Sequence, residues 1–362
     1  MTTGVTINGR FLTRPLTGVD RYAVELLRAW LPQATGAEQV RALLPPKTRP
    51  RDLHGGLPLR VENVGSFQGH AWEQFELPRY SGDSTLLNLC NTGPVTRRRQ
   101  LVVLHDAGIV AHPATYSFAF RSWYRWLFSG LMRRAQTVAT VSRFSADELM
   151  HLFGCRASGI ELIYGAGEHV LRTPADVRVL QRLGIEEQRY VLAVGSRTPN
   201  KNLRRVLEAS TQLRDLGYKI VAAGGSNSRV FGGVALDDES LVLAGYVTDA
   251  ELRALYENAA CFVFPSLYEG FGLPPLEAMH CRCPVVVSER ASLPEVCGNA
   301  AVYCNPDDPA DIAAKLRLVL TSPSLQAELR EAGMGRAREF SWERAARDLS
   351  GLLDFSTMQV AA

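Results

Sequence analysis

With 362 residues, 46% of them hydrophobic and 21% charged, the chain is long enough for two ordinary domains, each burying its own core. Forty Lys and Arg against 37 Asp and Glu leave a formal charge of +3, too balanced to argue for a nucleic-acid partner. Seven irregularly spaced Cys argue against a disulfide framework and read as reduced, buried small residues.

The opening MTTGVTINGRFLTRPLTG lacks the apolar run of a signal peptide, and no stretch reaches the ~18 apolar residues of a membrane span. A cytoplasmic protein is expected. Short apolar runs then alternate with helix-period segments, the pattern of parallel βαβ units, so the fold class is α/β. Strands are predicted at 5–9, 40–44, 59–64, 86–89, 101–105, 137–141 and 160–164, with helices at 18–31, 71–79, 116–134 and 143–153. Glycine, proline and charge between 165 and 188 mark a boundary. A second series follows, with strands at 190–195, 219–225, 241–247, 261–266, 284–289 and 300–305 and helices in VLEASTQL, DAELRALYENA, LEAM and DIAAKLRLVL. The expected domains are 1–168, 169–345 and a C-terminal helix or tail at 346–362 crossing back to the first domain. Two doubly wound, Rossmann-like domains facing each other would bind ligands at the carboxyl ends of their strands.

The motifs fall at those strand ends. Strand CFVFPS delivers Glu269, then Gly270 and Gly272 allow close approach of a ligand to bare backbone N–H groups. Pro274 and Pro275 start a helix whose first turn is expected to hold Glu277, ionised by the helix dipole and ready to accept from sugar hydroxyls. A helix N-terminus preceded by glycines suits a phosphate or diphosphate. The alternative is a capping carboxylate with no ligand.

GSRTPNKN, from Gly195, supplies Arg197 and Lys201 as cations for a diphosphate, or as ordinary solvated charges. In the first domain, TGVDRYAVELL places Gly18 in a turn entering a helix. LHDAG puts His105 at a strand end, a catalytic or sugar-contacting candidate, with Asp106 orienting its ring or capping the next loop. GAGEHV at 165–170 has Val170 in place of the third glycine of a dinucleotide fingerprint, and no Walker or GxSxG motif occurs. Cys281-Arg282-Cys283 beside His280 has no second ligand pair and reads as structural. Trp123, Trp126, Leu127 and Leu131 share one helical face, part of it core, with Arg121, Arg125, Arg133 and Arg134 nearby. A contact with an anionic membrane is the second reading.

GYVTDAELRALYENAACFVFPSLYEGFGLPPLEAM, PVVVSERASLPEVCGNAAVYCNPDDPADIAAKL and FSWERAA closely resemble the second domain of family 4 retaining glycosyltransferases of the GT-B fold, with Glu269 and Glu277 as the E-x7-E signature. GSRTPNKNL and, more loosely, INGRFLTRPLTGVDRYAVELL, WEQFELPR, VVLHDAGIVAHP and VATVSRFSADEL extend the resemblance along nearly the whole chain. It implies that Glu277 holds the ribose of a nucleotide-sugar donor. Glu269 and the N–H groups of Phe271, Gly272 and Leu273 would hold the donor sugar, and Lys201 with Arg197 the diphosphate. Gly18 would lie beside the phosphates, His105 beside the transferred sugar, and Tyr246 and Val247 at the base. The expected reaction is retaining, metal-independent transfer of a hexose, with mannose from GDP-mannose as the working donor, to a glycan or lipid-linked saccharide in surface polysaccharide synthesis. No cofactor is implied. A GT-B-fold nucleotide-sugar epimerase and a catalytically silent nucleotide-sugar binding protein are the rivals.

Overall fold

The computed structural model describes residues 4–34, 39–50, 56–111, 117–154, 159–195, 199–224 and 241–358, with side chains to 353. The chain divides into two compact units, Met1–Gly165 with Trp342–Ala362, and Ala166–Ser341. Both divisions fall a few residues before those expected from composition. His169 belongs with the second unit because its turn docks on a helix there. Trp342 belongs with the first, where its ring meets Tyr22 edge-on at 5.6 Å between centroids.

In the first unit seven parallel strands run β1 (Val5–Asn8), β2 (Arg41–Leu44), β3 (Arg60–Asn63), β4 (Thr85–Asn88), β5 (Gln100–Val103), β6 (Thr137–Thr140) and β7 (Glu161–Leu162). Their order in the sheet is β3-β2-β1-β4-β5-β6-β7, which puts the topological switch between β1 and β4. β4 and β5 are buried along their whole length, as strands covered on both faces must be. The Gly18–Trp30 helix buries Tyr22, Ala23, Leu26, Leu27 and Trp30, and the Trp342–Met358 helix packs on it, with Trp30 Nε1 donating to Ser350 Oγ at 3.1 Å.

The helix predicted at 71–79 is a composite. A turn at Gly69–Ala71 runs into a π-helical turn, Trp72–Glu76, and then into Leu77–Tyr80. The Phe118–Arg134 helix buries Leu127, Phe128, Leu131 and Met132, whereas Trp126 is 48% exposed, so part of the predicted apolar face is core and part is not.

The second unit has six parallel strands, β8 (Tyr190–Val194), β9 (Lys219–Ala223), β10 (Leu241–Gly245), β11 (Cys261–Phe264), β12 (Val285–Ser288) and β13 (Val302–Cys304), ordered β10-β9-β8-β11-β12-β13. Its switch lies between β8 and β11. Helices Leu203–Ser210, Asp249–Asn258, Leu273–His280 and Pro309–Leu320 correspond to the predicted segments. The Pro323–Ala337 helix has no counterpart among them. Cys281 and Cys283 are buried, and burial pushes the Cys283 thiol well above its usual range. No helix among the described residues is long and apolar enough to cross a membrane.

Candidate active site

Gly195 follows β8 and Ser266 follows β11, so the two loops leave the second sheet at its switch point. They are stitched together by backbone and amide contacts. Leu267 N–H donates to the Asn200 carbonyl at 2.8 Å, and Asn200 Nδ2 donates to the Tyr268 carbonyl at 3.2 Å. Asn202, buried in a left-handed conformation at φ 58°, donates from Nδ2 to the Pro265 and Pro306 carbonyls at 3.0 and 2.6 Å. This stitching fixes the stem of Lys201, whose Nζ lies 2.5 Å from Glu269 Oε1 and 5.0 Å from the centroid of Phe264. The sequence assigns Lys201 to a diphosphate and Glu269 to a sugar, and the structure joins them in one ion pair. Lysine has three donors, so Lys201 can hold this carboxylate and still face an anion. Arg197, the second predicted cation, lies outside the described residues.

Between Glu269 and Glu277 the chain is held from beneath by Ser292. Its fully buried hydroxyl reaches the Glu269 and Phe271 carbonyls at 2.9 and 2.5 Å. Gly272 sits at φ 127°, and a Cβ there would strain the backbone and press on Leu293 Cδ2 at 3.0 Å. It precedes a helix whose first three residues are Leu273, Pro274 and Pro275. The prolines carry no N–H, which leaves the amide of Leu273, with those of Phe271 and Gly272, as the donors at this helix end.

Contrary to expectation, Glu277 is not in the first turn; it is the fifth residue of the Leu273–His280 helix, and the first turn holds no acid. The helix dipole acts mainly within the first turn, so it is not what positions this carboxylate. Instead His169 Nε2 lies 3.0 Å from Oε1 and the buried Tyr256 hydroxyl donates to Oε2 at 3.0 Å. Burial first, then the Glu277 charge, raises the Tyr256 phenol well above its ordinary pKa, so it stays protonated and donating. His169 reaches this point because Gly167 lies flat on the helix: a Cβ there would come within 2.6 Å of the Leu276 carbonyl carbon. Sequence reasoning missed His169, Tyr256, Asn202 and Ser292. Only GAGEHV carried a signal, a glycine needed for close packing and not for a dinucleotide. Tyr246 is 75% exposed just past β10 at the sheet edge, with Val247 half-buried beside it.

In the first unit Gly18 opens the Gly18–Trp30 helix, and a Cβ there would meet nothing within 4 Å. The end of that helix is already occupied by an acid of the chain. Asp20 Oδ2 accepts from the Thr17 backbone N–H at 3.0 Å and from its hydroxyl at 2.6 Å, and Arg14 pairs with Oδ1 at 2.6 Å. His105 lies two residues past β5, with its backbone N–H on Asn91 Oδ1 at 2.6 Å and Nε2 on the Leu89 carbonyl at 2.8 Å. A carbonyl only accepts, so Nε2 carries the proton. Burial pushes the imidazole down to about 4, against the Leu89 bond that favours charge, so His105 is neutral near pH 7. Its ring packs edge-on against Tyr22, with centroids 4.7 Å apart. Asp106 caps the next turn, accepting from Gly108 N–H at 2.8 Å.

Residues 179–336 match the family model of group 1 glycosyl transferases. The chain is 30% identical to the O-antigen chain mannosyltransferase B of Escherichia coli, over 91% of this chain and 93% of that one. It is 31% identical to the O-antigen chain mannosyltransferase RfbU of Salmonella typhimurium, over 58% of each. Among solved structures, sucrose-phosphate synthase of Thermosynechococcus elongatus superposes with a TM-score of 0.77 at 17% identity over 99% of this chain and all of that one. HepE of Anabaena, in complex with UDP and glucose, superposes with a TM-score of 0.78 at 14% identity, over 97% and 99% of the two chains. The fold is GT-B, and the chain belongs to the group 1 glycosyl transferases.

Proposed function

We propose that this glycosyltransferase moves mannose from GDP-mannose, with retention of configuration and without a metal, to a hydroxyl of a glycan or lipid-linked saccharide in surface polysaccharide synthesis. The observation that carries it is the Lys201–Glu269 pair at the switch point of the second sheet, 2.5 Å apart in the loop that leads into the proline-started Leu273–His280 helix. Breaking the anomeric C–O bond builds charge on the departing diphosphate. A cation and backbone donors fixed in advance lower that barrier most. Lys201, with Arg197 as a second cation, serves the diphosphate. Phe271, Gly272 and Leu273 offer N–H groups, and Glu269 accepts from sugar hydroxyls. Glu277, oriented by His169 and Tyr256, accepts from the ribose, and Gly195 keeps the backbone clear beside the Lys201 stem. Tyr246 and Val247 are the base contacts. In the first unit Gly18 leaves open space for phosphate, and neutral His105 contacts the transferred sugar as a hydrogen-bonding group, not as an acid.

The mannosyl donor and the polysaccharide product are supported by the similarity to the two O-antigen mannosyltransferases. A cytoplasmic location follows from a soluble nucleotide-sugar donor. Contact with an acidic membrane is supported by exposed Phe118, Phe120 and Trp126 beside Arg121 and Arg125, spread over the first half of the Phe118–Arg134 helix. Co-sedimentation with acidic vesicles tests it, and no pelleting in any composition removes it. The reaction itself is tested by incubating the protein with GDP-mannose, UDP-glucose and UDP-galactose, with and without an α-mannoside acceptor, in EDTA, and identifying products by NMR. A mannosylated acceptor plus GDP is expected. A new sugar nucleotide formed without acceptor would mean an epimerase, and binding without turnover a silent protein.

A further inference from the structure

The first sheet's own switch point, between β1 and β4, holds a charged cluster that the donor chemistry does not use. Asn8 ends β1 and Asn88 ends β4; both are buried, and Asn8 Nδ2 donates to Asn88 Oδ1 at 3.0 Å. Asn8 also donates to Glu73 Oε1 at 2.7 Å, and the Thr92 hydroxyl donates to the same oxygen at 2.6 Å. Arg10 Nη1 donates to Glu73 Oε2 at 2.8 Å, and His70 Nδ1 lies 3.3 Å from that oxygen and 3.2 Å from Arg10 Nη1. Glu73 is fully buried, yet Arg10 and His70 keep 20% and 31% of their side-chain surface. Burial works against ionisation, but His70, Arg10, Thr92 and Asn8 together hold the carboxyl below its usual range.

A buried ion pair is seldom the most stable way to fill such a space. β1 and β4 pair through their backbones without it. Here it has a geometric result: the carboxylate of the cluster is spent on holding two part-exposed groups, the Arg10 guanidinium, which donates, and the His70 ring, which can donate or accept, at the carboxyl edge of the sheet. Glu73 sits in the π-helical turn Trp72–Glu76, a rare form that is frequent at functional sites. The turn is fixed on both sides, Trp72 Nε1 on the Val64 carbonyl at 2.9 Å and Gln74 Nε2 on the Gly93 carbonyl at 2.8 Å.

Beside these donors stands an aromatic wall. The His70 ring lies 5.3 Å from Trp123 and 6.0 Å from Tyr124. The Trp123 indole N–H is buried and has no hydrogen-bond partner among the described residues, although a buried indole normally finds one. Arg10 and Glu73 cancel in charge, so a phosphate gains little here. A ring with hydroxyls on its edge and C–H groups on its face matches both the donors and the wall.

We propose that Arg10, His70 and Trp123 form a subsite for a neutral pyranoside unit of a glycan, with Glu73 as the positioning residue. It rests on the proposed transferase reaction only in taking that glycan to be the acceptor. The test has two arms on the full chain: saturation-transfer NMR with α-linked mannotriose, and acceptor KM with GDP-mannose. Arg10→Gln and Trp123→Leu are expected each to weaken trisaccharide binding and raise acceptor KM about tenfold, with the KM for GDP-mannose held within about twofold. Glu73→Gln, which keeps shape and loses charge, should raise acceptor KM without changing kcat, a split that general loosening of the fold would not give. Because Glu73 is buried, the two part-exposed variants decide the matter if Glu73→Gln does not fold. Unchanged trisaccharide binding in both, no binding by the wild type, or loss of acidic-vesicle binding alone would overturn the proposal. Binding at this subsite without any transfer would leave it standing and remove the transferase reaction proposed above.

Discussion

Glu73 in the first unit and Glu277 in the second are both carboxylates at the functional edge of a parallel sheet, and they are held differently. Glu73 is fully buried with both oxygens engaged by Asn8, Thr92, Arg10 and His70, whereas Glu277 keeps 8% of its surface with His169 on one oxygen and Tyr256 on the other. A carboxylate offers about four lone-pair directions. Glu73 spends its own on the protein, while Glu277 reaches the surface. Of two acids that look alike in a sequence, one is enclosed by the protein and the other, in the function proposed above, meets the ligand.

The largest expected effect separates them by stability. Glu73→Leu leaves Arg10 without its carboxylate, and urea denaturation should show a loss of about 3 kcal/mol or more, as for other broken buried pairs. Glu277→Gln should cost far less, since the amide oxygen can still accept a hydrogen bond and neither Tyr256 nor a neutral His169 is left as an unpaired charge; equal losses would erase the distinction. Next comes Lys201→Ala. If the Lys201–Glu269 pair serves the leaving diphosphate, turnover should fall about a hundredfold or more with little change in melting temperature. A fall in stability with unchanged kcat would make the pair structural.

The His105 imidazole is pushed from an ordinary 6.5 down to about 4 by burial, so the unfolded chain binds its proton more readily than the folded one. Stability contributed by keeping it neutral is complete above the unfolded value and is lost as pH falls from there toward about 4, by at most roughly 3 kcal/mol. His105→Asn should flatten that acid limb. A limb of unchanged slope in this variant would assign it to other groups, among which His280, also pushed down to about 4 by burial, is the first candidate. Glu277→Gln should weaken GDP-mannose binding about tenfold, the scale of a charge-assisted hydrogen bond. The smallest effect is Tyr256→Phe, expected to weaken binding several-fold, about 1 kcal/mol. A larger loss than in Glu277→Gln would mean that the tyrosine, not the carboxylate, is the contact.

How legible each half was follows from how its residues are spaced. The strands of both sheets could be placed because short, mostly apolar runs between turn signals, such as YVLAV and CFVF, recur between helix-period segments. The second-unit candidate site could be proposed from the sequence because Glu269, the glycines, the prolines and Glu277 lie within one short stretch. The first-unit cluster draws Asn8, Arg10, His70, Glu73, Asn88 and Thr92 from separate segments, and no spacing rule joins them. His169 and Tyr256 were missed for the same reason, being 108 and 21 residues from the carboxylate they hold. The Pro323–Ala337 helix escaped because Gly333 and Gly335 interrupt its pattern. The misplacement of Glu277 in its helix came from counting the first turn from the prolines, when Gly272 is the cap and Leu273 the first residue.

The most direct test of the account is the anomeric configuration of the product. With GDP-α-mannose and an α-mannoside acceptor in EDTA, the one-bond C–H coupling of the new linkage should report an α-mannoside, formed by the wild type and reduced about a hundredfold in Lys201→Ala. A β-linked product, or transfer that survives that substitution undiminished, would contradict it.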